Sequence, residues 1–153
     1  MLRIYWLLAY VMLLIACRPP EDPARVSMRL RLKEERRLTP DEIRAFFDQI
    51  APEVTDKKVS VKQGAVTREL SADERTSVLG ILSDPGRVYD EGLRHEGSSL
   101  WRGLTTGATP AMSELDAMQT LWIDVDSLVP RRYEFAYSSP GFGDYGYDLM
   151  LGP

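Results

Sequence analysis

Residues 121–151, LWIDVDSLVPRRYEFAYSSPGFGDYGYDLML, decide the fold. Three runs within them, 121–126, 132–137 and 145–151, alternate apolar with polar side chains. A period of two belongs to a half-buried strand. The intervening segments, 127–131 and 138–144, carry proline or glycine and have the length of hairpin loops. Keeping the apolar side chains on one face sets the register. It places Ile123 opposite Phe135, Val125 opposite Tyr133 and Leu121 opposite Tyr137. It then pairs Tyr137 with Tyr145, Phe135 with Tyr147 and Tyr133 with Leu149.

The second face of this meander follows from the first. Trp122, Ala136 and Gly146 form one row, a large ring over two small neighbours. Asp126, Arg132 and Met150 form another. Between them Asp124, Glu134 and Asp148 stand abreast, about 5 Å apart, where like charges destabilise. Relief can come from Arg132 on the diagonal, from solvent, from a raised pKa, or from a hard cation such as Ca²⁺. Exposed carboxylates repel weakly in water, so a solvated row is the favoured reading. Asp124, Glu134 and Asp148 as a metal site is the sharper alternative.

Working towards the N-terminus, Thr109-Pro110 starts a short helix reaching about Met118. Val88-Tyr89 and Leu100-Trp101 read as short strands around the polar turn 95–99. Ser71 with Glu74 is a capping box opening a helix that carries Val78, Leu79 and Leu82 and ends at Asp84-Pro85-Gly86. Residues 57–70 read as a hairpin turning near Gln63-Gly64. Thr39, Pro40 and Glu42 start another helix, with Ile43, Phe46, Phe47 and Ile50 as its stripe and Pro52 as its stop. Val26, Met28, Leu30 and Leu32 alternate with Ser27, Arg29, Arg31 and Lys33, which predicts a strand. The fold class is α+β, a largely antiparallel sheet with two or three helices on one face and a three-stranded C-terminal meander.

The first seventeen residues, MLRIYWLLAYVMLLIAC, carry one arginine, then an unbroken apolar run from Ile4 to Ala16, then the chain's single cysteine. Thirteen helical residues reach only about 20 Å, short of a hydrocarbon core of ~30 Å. The run has the length of a secretory leader instead. Leu14-Ile15-Ala16-Cys17 resembles the lipobox of bacterial lipoproteins. The resemblance implies cleavage between Ala16 and Cys17 and attachment of diacylglycerol, often with a further acyl group such as palmitate, to Cys17. The family's inner-membrane retention signal, an aspartate after the cysteine, is replaced by Arg18. An outer membrane, facing the periplasm, is therefore favoured where two membranes exist. The expected organisation is a cleaved leader over 1–16, a lipidated tether over 17–24 and one α+β domain over 25–153.

Without the leader the chain has 18 basic against 23 acidic residues, a net −5. Residues 18–37 carry +3 and residues 38–153 carry −8. The acidic balance excludes nucleic acid as a partner. The basic segment has two readings: contact with anionic head groups, or solvation of one face of the expected strand, which is favoured. With Cys17 acylated, no disulfide is available and the fold rests on packing.

His95 is the only histidine and lacks the second ligand of a zinc helix. No serine sits in a G-x-S-x-G elbow. Residues 140–144 contain G-x-G without a third glycine, which marks a loop rather than a phosphate cradle. The expected function is a non-catalytic, membrane-anchored binding domain of the cell envelope, recognising a protein or an envelope component. One version is an immunity-type inhibitor whose acidic surface complements a basic toxin. Residues 121–135 resemble a strand pair of lipoprotein-sorting half-barrel carriers, which implies a carrier of lipid or another apolar ligand on the face of Ile123, Val125 and the tyrosines. A hydrolase using the acidic row is the third reading.

Overall fold

The structure, a computed structural model, describes residues 20–56, 60–83, 87–106, 116–139, 141 and 143–152. Residues 1–19, which include Ala16, Cys17 and the stretch read as a leader, lie outside these residues. The first element is a helix, α1 (Pro23–Leu32), where alternation predicted a strand. Asp22 starts it, Oδ1 accepting from the Ala24 N–H at 2.9 Å, with Pro23 in its first turn and Arg29 and Arg31 in its last. The alternating residues are also two i, i+4 pairs, and on a helix each pair shares a face. Met28 and Leu32 point into the core, while Val26 and Leu30 face solvent. The helix begins at Pro23, within the stretch 17–24 expected to be extended.

The second helix, α2 (Pro40–Asp56), opens with the expected capping box. The Thr39 N–H donates to Glu42 Oε2 at 2.9 Å, and the Glu42 N–H donates to Thr39 Oγ1 at 3.3 Å. Ile43, Phe46 and Phe47 are its buried stripe. Pro52 does not end it. The helix runs on to Asp56, lacking the bond that a residue-52 N–H would have made.

The hairpin β1 (Ser60–Gln63) and β2 (Val66–Glu69) forms where expected, turning at Gly64 with φ 61°. Helix α3 (Ala72–Ser83) follows, its box closed by Ser71 N–H to Glu74 Oε2 at 2.8 Å and Glu74 N–H to Ser71 Oγ at 3.2 Å. Val78 and Ile81 are buried on it, while the side chains of Leu79 and Leu82 lie outside the described ones. The expected stop, Asp84-Pro85-Gly86, lies outside the described residues.

In place of two short strands there is a long hairpin, β3 (Val88–Glu96) with β4 (Ser99–Thr106). The helix expected from Thr109 falls on 107–115, outside the described residues, and its far end is already strand. The meander is β5 (Asp116–Asp124), β6 (Pro130–Ser139) and β7 (Gly143–Gly152). All seven strands form one antiparallel sheet in the order β2-β1-β7-β6-β5-β4-β3. The α+β class and the C-terminal meander are therefore as expected.

The β6–β7 register agrees with expectation at Tyr137↔Tyr145, Phe135↔Tyr147 and Tyr133↔Leu149. The β5–β6 register does not. Leu121 lies opposite Tyr133, and Ile123 opposite Pro130 past an irregularity at Trp122/Ile123. Up to that irregularity the expected and observed pairings differ by four residues, an even number. An even shift keeps every side chain on its own face, so the apolar-face argument cannot distinguish the two.

The helices cover one face. Leu32, Ile43, Phe46, Phe47, Val61, Val78, Ile81, Leu104, Leu121, Ile123 and Tyr133 make the core, with Phe135 packed against it. At its centre Arg102, 1 % exposed, is ion-paired to Asp90, 4 % exposed. Arg102 Nη1 donates to the Leu32 and Glu34 carbonyls at 2.7 and 2.8 Å, and Nη2 to Arg36 O at 2.5 Å. Asp90 accepts from the Leu38 and Gly92 N–H groups at 2.6 and 2.9 Å. One buried pair thus fastens the α1–α2 connection to the sheet. Its donors are spent, so it is a structural tie rather than a reactive group.

Candidate functional site: the outer face of the sheet

The face opposite the helices is read from cross-strand partners. One row runs Tyr89, Thr105, Thr120, Glu134, Asp148, and the next runs Gly103, Trp122, Arg132, Met150, Lys62. Arg94, Trp101 and Asp124 make a third. The strands position these side chains by simple alternation, since Leu104, Leu121, Tyr133 and Leu149 between them are committed to the core.

Of the three carboxylates expected abreast, Glu134 and Asp148 do stand opposite each other. Asp124 does not join them. The observed register puts Thr120 against Glu134 and moves Asp124 beside Trp101. Asp124 Oδ1 instead accepts from the Asp126 N–H at 3.0 Å, the Ser127 N–H at 2.8 Å and the Ser127 hydroxyl at 3.0 Å, capping the β5–β6 turn. Burial pushes its pKa up, but these donors and Arg131 outweigh burial and leave it lowered. Among the described residues no group of three His, Cys, Asp or Glu side chains is placed to hold a metal ion. The Ca²⁺ reading of Asp124, Glu134 and Asp148 therefore loses its geometry.

Repulsion between Glu134 and Asp148 is relieved by Arg132, as the diagonal position suggested. Its Nε lies 3.0 Å from Glu134 Oε1 and its Nη2 lies 3.1 Å from Asp148 Oδ2. Trp122 Nε1 donates to Glu134 Oε2 at 2.9 Å. The Trp122 ring lies over Gly103, not over Ala136 and Gly146. A Cβ at Gly103 would come within 2.9 Å of Trp122 Cζ3. The Arg94 guanidinium sits 5.3 Å from the ring centroid, in cation–π range, while Arg94 Nη2 pairs with Glu96 at 2.6 Å. The Thr105 hydroxyl donates to Glu91 Oε2 at 3.2 Å and lies 2.9 Å from the Thr120 hydroxyl.

Trp101 and Trp122 are each only 8 % exposed on this face, and the Trp101 indole N–H has no acceptor among the described residues. Around them Tyr89, Met118 and Met150 are open to solvent. Sequence reasoning placed Trp122, Glu134, Asp148, Arg132 and Met150 on one face but missed Tyr89, Arg94, Trp101, Thr105 and Thr120. The signal for the latter was weak, because Asp90 and Arg102 occupy core positions and interrupt the alternation of β3 and β4. His95, on β3 near the hairpin tip, is exposed and makes no contact with a hydroxyl or carboxylate among the described residues.

The basic segment is not a solvated strand face. Arg29 pairs with Glu21, Arg31 with Glu42, Lys33 with Asp126, and Arg36 with Glu34 and Glu42. Among the described residues no helix is long and apolar enough to cross a membrane. Compared with protein-family models, curated proteins and solved structures, the chain matches none.

Proposed function

We propose that this protein is an exported lipoprotein, anchored through acylated Cys17, whose non-catalytic domain recognises a partner at the bacterial envelope through the outer face of its sheet. The observation carrying this reading is the exposure of Tyr89 (65 %) and Met118 (47 %) beside two arginine-flanked tryptophans on a face no described helix covers. Aromatic residues, methionine and arginine are the residue types enriched where proteins meet. A sheet stiffened by Trp122–Glu134–Arg132–Asp148 contacts loses little freedom on binding. Glu91, Glu96, Glu134, Asp144 and Asp148 outnumber Arg94, Arg132 and Lys62 there. The matching partner is a basic protein surface, as for an inhibitor of a cationic effector.

Two features favour binding over the alternatives. The face an apolar ligand would need is filled by Phe46, Phe47, Leu104, Leu121, Ile123 and Tyr133, each at most 2 % exposed. Of the carboxylates a hydrolase would need, Glu134 and Asp148 are paired with Arg132, and Asp124 caps the β5–β6 turn. The anchor itself rests on the leader and Cys17, with the outer membrane as its site where two membranes exist.

The test places a photoreactive phenylalanine at 89, 118 or, as an equally exposed control off this face, 66, in the full-length protein in its own bacterium. Adducts of one defined mass from 89 and 118 but not from 66 are expected. No adduct, or equal labelling at 66, overturns the reading. Intact mass separately reports lipid on Cys17, and Cys17→Ser moves the protein to the soluble fraction.

A further inference from the structure

The exposed large apolar side chains fall into two main groups: those on the outer sheet face, and Val26 with Leu30 on α1. Residues two apart on a helix are about 200° apart around its axis. Val26 and Leu30 therefore point almost directly away from Met28 and Leu32, which α1 buries in the core. Pro23 and Ser27 lie beside them and are exposed too. Leu30, at 64 % exposed, is a large apolar side chain held in water by a helix with no helix or strand over that side among the described residues.

Six peptide steps separate Cys17 from Pro23, a reach of at most about 20 Å. Helix α1 itself is only about 15 Å long. Resting on the proposal that Cys17 is acylated, we infer that α1 is a second membrane contact: Val26 and Leu30 seat on the bilayer surface and orient the domain with its outer sheet face turned away from the lipid.

Two side chains bind a bilayer weakly by themselves. A tether this short holds them at millimolar or higher effective concentration beside it, so weak contact suffices. Charge contributes little, because Arg29, Arg31 and Lys33 already have carboxylate partners on the protein. The contact is therefore apolar and does not need anionic lipid, in contrast to a polybasic segment. The orientation follows from the fold: α1 packs on the helical face, so bilayer beneath its exposed side leaves Tyr89, Trp101, Met118 and Trp122 facing outward.

The experiment uses the lipidated protein in phosphatidylcholine vesicles. Thioether formation at Cys17 leaves an introduced cysteine as the only free thiol. An environment-sensitive fluorophore is attached at Ser27→Cys or, on the outer face, at Met118→Cys, and quenched by nitroxide carried on the lipid chains. Quenching several-fold stronger at 27 than at 118 is expected. In Val26→Glu/Leu30→Glu it falls to the level at 118 while the protein stays vesicle-bound. Equal quenching at 27 and 118 in protein whose mass shows the lipid overturns the inference and leaves the anchor intact. Quenching at 27 that appears only with phosphatidylglycerol also overturns it, since charge would then make the contact. Unlipidated mass instead sinks the reading beneath it.

Discussion

Arg102 and Asp90 illustrate what a single buried pair controls. Each satisfies backbone groups of residues remote in the chain, Leu32, Glu34 and Arg36 for Arg102 and Leu38 for Asp90, which also accepts from the nearby Gly92 N–H. Removing one partner leaves an uncompensated buried charge, which costs about 3–5 kcal/mol. Arg102→Met is expected to lower the unfolding free energy measured in urea by an amount in that range, and adding Asp90→Leu recovers part of the loss. Recovery stays incomplete because five backbone groups remain unpaired. If Arg102→Met unfolds at the wild-type midpoint, the pair is not the tie described. The same two residues explain why β3 and β4 were hard to read: a charge at a core position looks, in sequence, like a polar outward-facing residue.

At the scale of elements, alternation in α1 had two solutions. On a strand Leu30 and Leu32 would share a face and matter equally. On the helix they do not. Leu32→Ala is expected to cost about 2–5 kcal/mol, and Leu30→Ala no more than about 0.5 kcal/mol, in denaturant unfolding of the unlipidated protein. The capping boxes were legible because each needs two residue types three apart, a local and specific signal. Glu74 also pairs with Arg68 through two contacts at 2.7 Å. The Arg68 hydrogen bonds, with those from Ser71, hold the Glu74 pKa down to about 2. Glu42 is shifted in the same direction, chiefly by Arg36. A carboxylate with a depressed folded pKa stabilises above its unfolded value and loses that contribution as pH falls through the folded one. Wild type should therefore exceed Glu74→Gln in stability at pH 7, and the two should converge between about pH 5 and pH 2. A gap independent of pH would place the effect elsewhere.

For the whole molecule, the meander and its class were legible because three alternations constrain one another. Strand order, the four-residue slip of β5 on β6, and the breadth of the outer face were not. Those depend on which distant segments meet, as when Trp122 finds its glycine at 103 on a neighbouring strand rather than at 146. The candidate site was accordingly half visible, with β6 and β7 foreseen and β3 and β4 not. The sheet order carries one last consequence. Strand β1 is completed only by β7, with the Ser60 hydroxyl donating to Gly152 O across 92 residues. Residues 150–152 must therefore be in place before the β1–β2 ribbon gains its neighbour. A stop codon before residue 143 removes β7 and leaves β1 and β6 without the strand that joins them.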